Sequence, residues 1–70
     1  MAGDVDPNDV ARWTANYISE REGETLYLAL AGVAKDARRA EILRKMAAVE
    51  GRHADRWAER LRSAGIERSS

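Results

Sequence analysis

Residues that face a neighbouring helix recur along this chain at alternating spacings of three and four, which is the period of an amphipathic α-helix. The first series is Val10, Trp13, Tyr17, Glu20, Glu24, Tyr27, Ala31 and Ala34. The second series is Leu43, Met46, Glu50, His53, Trp57, then Arg60 or Leu61, and Ala64. Both series are apolar at their ends and ionisable at their centres. The pattern predicts two helices that pack against each other, with the ionisable residues at the centre of each helix facing the other helix.

Helix start and stop signals divide the chain at three places. Asp6 before Pro7 is typical of a helix N-terminus, because the aspartate caps free N–H groups and proline fits the first turn. Lys35 suits a helix C-terminus and Asp36 suits the N-cap of a second helix. Gly65 is placed to end that second helix. The connection at Lys35 is short, so the two helices must be antiparallel neighbours.

The predicted fold is therefore all-α, an antiparallel two-helix hairpin. We expect the first helix to run from Pro7 to Ala34 and the second from Ala37 to Ala64. The domain spans residues 7–65, with an N-terminal tail at 1–6 and a C-terminal tail at 66–70.

Composition restricts what such a hairpin can be. The chain has 70 residues, no cysteine, 12 basic and 12 acidic residues, which argues against disulfides and against a nucleic-acid partner. It begins without the basic and apolar blocks of a secretory signal, so we predict a cytoplasmic protein, or one inside a protein compartment, and not a secreted one. So short a chain rarely forms a sufficient core alone, which makes a metal or self-association the natural expectation.

The candidate chemistry lies at the centre of the hairpin. Glu20 and Glu50 are each fifteen residues from Lys35, so an antiparallel pair of helices brings them to one level, and His53 lies one turn beyond Glu50. Buried carboxylates are costly unless paired or bound to a metal. Two carboxylates and an imidazole suit iron or manganese, with zinc as a further substitute. The alternative is that arginines neutralise the inward acids.

Dimerisation about a two-fold axis would bring two such clusters together. The resulting four-helix bundle would hold four glutamates and two histidines, the ligand set of a di-iron carboxylate bundle, with two Fe per dimer. The homodimer would supply both the missing core and the missing half of the site.

Two runs of sequence resemble a known superfamily. The run EREGETLYLALA from Glu20 and the run AAVEGRHADRW ending at Trp57 resemble the ferritin-like and rubrerythrin-like proteins. The resemblance is nearest to the ferritin-like domain of vacuolar-iron-transporter-type proteins and to half-ferritins such as encapsulated ferritin. It implies that Glu20, Glu50 and His53 are metal ligands and catalytic residues, with Glu50 bridging two metals. It also implies that Tyr27 lies near the metals and is a catalytic residue.

Glu24 is a further candidate ligand. Glu24 and Tyr27 also allow a structural interpretation. In that case Tyr27 belongs to the core, and Glu24 accepts a hydrogen bond from the Tyr27 hydroxyl.

The resulting functional hypothesis is ferroxidase-type oxidation of Fe(II) by O₂ or peroxide, which would feed iron storage or transport. The partners it implies are a second copy or a higher oligomer, together with a membrane iron transporter or an encapsulin shell. The competing hypothesis is a metal-free helical-hairpin oligomerisation module.

Overall fold

The computed structural model describes residues 5–66. Within that range helix α1 spans Pro7–Val33 and helix α2 spans Ala37–Ser63, 27 residues each. They pack side by side as an antiparallel hairpin, which confirms the predicted all-α fold. Each helix ends one residue earlier than predicted, because Ala34 and Ala64 occupy the C-cap positions. The parts of the predicted tails at 1–4 and 67–70 lie outside the described residues.

The two helix starts are capped as the sequence predicts. The Asp6 carboxylate accepts a hydrogen bond from the backbone N–H of Asn8 at 2.8 Å. The Asp36 carboxylate accepts one from the backbone N–H of Arg38 at 3.0 Å. These contacts satisfy N–H groups that have no partner inside the helix and fix where each helix begins.

Helix α2 ends in a Schellman motif. Gly65 has a φ of 88°, its N–H donates to the carbonyl of Arg62, and the N–H of Ile66 donates to the carbonyl of Leu61, both at 2.9 Å. The left-handed conformation at residue 65 favours glycine, which explains the stop.

Small residues form the contact between the helices. The buried positions are Ala31 on α1 and, on α2, Ala40, Ala47, Gly51, Ala54 and Leu61. The predicted inward face of α2 was therefore wrong by part of a turn. Met46 is 40% exposed and His53 is also exposed. The physical reason is that small side chains let the two backbones approach closely, which moves the larger and ionisable side chains to the edge of the contact.

Both helices expose large apolar residues on their outer surfaces. Helix α1 carries exposed large apolar residues at Ile18, Leu26, Leu28, Leu30 and Val33, spread around its circumference rather than along one stripe. Neither helix in residues 5–66 is long and apolar enough to cross a lipid bilayer.

Candidate metal centre

Glu20, Glu50 and His53 converge at the middle of the hairpin, as the sequence predicts. Helix α1 supplies Glu20, while α2 supplies the other two from adjacent turns. His53 Nδ1 lies 2.8 Å from Glu20 Oε2 and 3.5 Å from Glu50 Oε1. One potential ligand atom from each residue falls within 4.8 Å of the other two. The three side chains therefore form one cluster, in which each can offer an atom to a shared cation.

The cluster sits at the edge of the helix contact and is partly open. The side chains of Glu20 and Glu50 are 24% and 26% exposed, and that of His53 is 46% exposed. Two carboxylates with this burial lack much of the hydration that they would have on a free surface. A positive charge placed beside them would therefore be stabilising.

One carboxylate oxygen of Glu20 lacks a hydrogen bond. Oε2 is buried and accepts none from any residue in the described range, although His53 Nδ1 is only 2.8 Å away. A buried acceptor without a donor is costly and rare. A cation between these groups would satisfy this oxygen, and the oxygen and imidazole donors suit iron or manganese.

Within residues 5–66 no arginine lies at ion-pair distance from Glu20 or Glu50, and the basic side chain next to both carboxylates is His53. The arginine alternative instead holds for Glu24, whose Oε1 accepts from Arg21 Nη1 at 2.8 Å.

Arg21 links α1 to α2 on the other side of the hairpin. Its Nη2 donates to Asp55 Oδ1 at 2.7 Å, and its Nε lies 3.4 Å from the Tyr17 hydroxyl. Hydrogen bonding to Tyr17 and Glu24 raises the pKa of Arg21 above its already basic value, so this side chain is a permanent cation. Glu24 thus lies outside the three-residue cluster, and its role as a ligand stays a prediction.

A cavity of about 430 Å³ opens beside the cluster. Its lining consists of Glu20, His53, Arg56, Trp57 and Arg60. The cavity therefore gives solvent access to the cluster from one side of the hairpin. Its lining includes an indole and two guanidinium groups.

Trp13 and Trp57, near the open end of the hairpin, share one arginine. The guanidinium of Arg60 lies 5.3 Å from the ring centre of each. Such a cation–π arrangement adds about 0.5–1 kcal/mol per ring at exposed sites. The sequence pattern placed Arg60 or Leu61 on the inward face; the structure buries Leu61 there and leaves Arg60 exposed, beside the two rings. Its position three residues after Trp57 is the signal that could have found it.

Tyr27 lies on the half-buried face of α1, seven residues after Glu20 and about 10 Å along the helix axis at 1.5 Å per residue. It does not line the cavity beside the cluster. Its proposed place near a metal stays a prediction.

A glutamate on one helix and a Glu-x-x-His pair on another form the arrangement that four-helix carboxylate metal proteins contain twice. Residues 14–69 match the family described as Rubrerythrin, which covers most of the chain. The chain belongs to this family, within the ferritin-like superfamily, whose members typically bind iron. Comparison with curated proteins and with solved structures gave no match.

Proposed function

We propose that this protein is an iron-binding half-ferritin that oxidises Fe(II) at a di-iron site built by two copies of the chain. The observation that carries the proposal is the Glu20, Glu50 and His53 cluster, with its ligand atoms within 4.8 Å of one another. The buried Glu20 oxygen without a hydrogen bond supports it. Iron is the expected metal, with manganese or zinc as substitutes.

One chain supplies only half of the ligands that such a site needs. Di-iron carboxylate bundles take a glutamate from each of two helices and a Glu-x-x-His pair from each of the other two. This hairpin offers one of each. A second copy, related by a two-fold axis through the cluster, would complete the set.

Exposed apolar residues flank the cluster on its own side of the hairpin. A helical wheel of 100° per residue places four of them beside Gly23 and Glu50. They are Leu26, Leu30, Ile42 and Met46, each 40–57% exposed. Covering them removes apolar surface from water at about 25 cal/mol per Å². This surface, which we call the cluster face, is therefore suited to pack against its copy in a homodimer.

The protein's contribution to the reaction would be binding and orientation. Glu20 and Glu50 provide negative charge that favours cations, and His53 provides a neutral nitrogen donor. Bound iron supplies the redox chemistry, with O₂ or peroxide as the electron acceptor. Packing of the cluster face against its copy would exclude water from the site.

The place of the protein in iron handling is a finer part of the proposal. We place it with half-ferritins of the encapsulated type, or with the ferritin-like domain of vacuolar-iron-transporter-type proteins. Oxidised iron would then pass to an encapsulin shell for storage, or iron would pass to a membrane transporter. Exposed Ile18 and Leu28, which lie away from the cluster face, support assembly beyond a dimer.

Anaerobic titration of the protein with Fe(II), with the binding heat measured by calorimetry, tests the proposal. We compare the wild-type protein with the double variant Glu50→Ala/His53→Ala and with the control Glu41→Ala, which removes an exposed glutamate from the same helix. The wild type and the control are expected to bind one iron per chain, and the double variant none. On admission of O₂, the first two should form Fe(III) faster than protein-free iron.

The metal-free oligomerisation module is the second candidate, and the exposed apolar residues of the cluster face favour it equally. It predicts that the wild type binds no iron. It further predicts that the double variant forms the same oligomer with equal or greater stability, because a half-buried carboxylate and its imidazole neighbour have been removed. Either result for the wild type decides between the two functions.

A further inference from the structure

Two glycines lie in the interior of the hairpin's helices, Gly23 in α1 and Gly51 in α2. Glycine at such positions costs about 1 kcal/mol relative to alanine. Among the described residues the glycine with a positive φ is Gly65, so Gly23 and Gly51 both have a negative φ. The backbone therefore does not require glycine at either position, and the reason must lie in the space around it.

The space beside each glycine is filled by a carboxylate from the opposite helix. A Cβ at position 23 would lie 2.7 Å from Glu50 Oε2, with its next neighbours on the same side chain at 3.6 Å. A Cβ at position 51 would lie 2.7 Å from Glu24 Oε2 and 3.2 Å from Glu24 Cδ. Both distances are shorter than a Cβ tolerates, so any side chain at either position displaces the facing carboxylate.

The two glycines separate the glutamates into two groups. The carboxylate that lies against Gly23 is Glu50, which faces His53 at 3.5 Å. The carboxylate that lies against Gly51 is Glu24, which binds Arg21 at 2.8 Å on the other side of the hairpin. The space beside a glycine therefore holds a carboxylate of the three-residue cluster in one case, and a carboxylate outside that cluster in the other.

We propose that Gly23 is a positioning residue for the metal centre, because its missing side chain leaves the space in which the Glu50 carboxylate reaches the cluster. The inference rests on the proposed iron-binding function. It predicts that the space at residue 23 controls metal affinity, whereas the equivalent space at residue 51 does not.

The displaced group at either position is the end of a flexible side chain and not backbone. Substitution with alanine should therefore leave the fold intact, and the gain in helix propensity offsets the cost of moving the carboxylate. Metal-free Gly23→Ala and Gly51→Ala should both melt at or above the wild-type temperature, as measured by circular dichroism. This makes the two variants a matched pair for a binding experiment.

The experiment measures Fe(II) affinity by anaerobic calorimetry for the wild type and both variants. Gly23→Ala is expected to bind iron about 10–100-fold more weakly, the loss typical when the support of a ligand is removed. Gly51→Ala is expected to bind as the wild type does. If Gly23→Ala binds iron with wild-type affinity, or if both variants lose affinity equally, the inference is overturned while the proposed function stands.

A further variant separates positioning from a general structural effect. Glu50→Asp shortens the carboxylate by one methylene, so it no longer fills the space beside residue 23. Adding Gly23→Ala to Glu50→Asp should then weaken Fe(II) binding little beyond the loss from Glu50→Asp alone. A purely structural effect would be additive in the two backgrounds, and that result would also overturn the inference. Should the wild type itself bind no iron, the proposed function fails and this inference fails with it.

Discussion

Replacing Ala54 by leucine tests whether close helix contact holds the cluster together. Ala54 is 0% exposed, at the contact between α1 and α2. Leucine would gain about 2 kcal/mol if room existed for its three added carbons, at about 0.8 kcal/mol each. The neighbouring small residues leave no such room, so the helices must part. The expected result is a net loss of about 1–3 kcal/mol in the free energy of unfolding.

Thermal unfolding of the metal-free protein at a fixed concentration measures this loss. For a chain of this size each kcal/mol lowers Tm by about 4–8 °C. The matched control is Ala48→Leu, the same change at an exposed position on α2, which should leave Tm nearly unchanged. Parting the helices also widens the 2.8 Å approach of His53 to Glu20, so Ala54→Leu should weaken Fe(II) binding. Equal melting temperatures for the two variants would refute the reasoning.

Three other substitutions test separate parts of the structure. Leu61→Ala removes the largest fully buried side chain and should cost about 2–5 kcal/mol in urea unfolding, whereas Leu28→Ala at an exposed position should cost far less. Asp36→Ala removes the N-cap of α2 and should cost about 1 kcal/mol, seen as a lower Tm; an unchanged Tm would contradict the capping role. Arg21→Met leaves the Glu24 carboxylate without its partner, so stability should fall by about 1 kcal/mol with Fe(II) affinity unchanged. A marked change in affinity for this last variant would show that Glu24 is coupled to the site.

The fold was predictable because its signals are local. Asp6 and Asp36 cap helices through contacts two residues away, and Gly65 ends α2 through its own backbone conformation. A short connection then leaves antiparallel packing as the simple solution. The position of Glu20 relative to Glu50 follows from counting residues from the turn, and the structure confirms that the two converge.

Rotation of α2 about its axis was not predictable from the pattern. The sequence carries apolar residues on two adjacent stripes, one of small residues through Ala47 and Ala54 and one through Leu43 and Met46. Both stripes have a helical period, so periodicity alone does not say which faces α1. The structure shows that the small stripe does. Met46 of the larger stripe is then left exposed at the edge of the hairpin, where we propose that a second copy covers it.

The partners in long-range ion pairs could not be predicted from the sequence pattern either. Arg21 and Asp55 are 34 residues apart, and the chain has many oppositely charged residues at similar levels of the hairpin. Which of them pair depends on the lean of each side chain toward its helix N-terminus. The same lean places the Glu50 carboxylate beside Gly23, one turn from the level of Glu20.

Native mass spectrometry of the protein loaded anaerobically with Fe(II) tests the central claim most directly. The mass of each species gives both the number of chains and the number of bound metal ions, because one chain has a mass of 7.8 kDa. If each chain supplies half of the site through Glu20, Glu50 and His53, the main species is two chains with two irons, and Glu50→Ala/His53→Ala loses both irons. A single chain without iron, under conditions where a di-iron protein of known loading keeps its metal, would contradict the account.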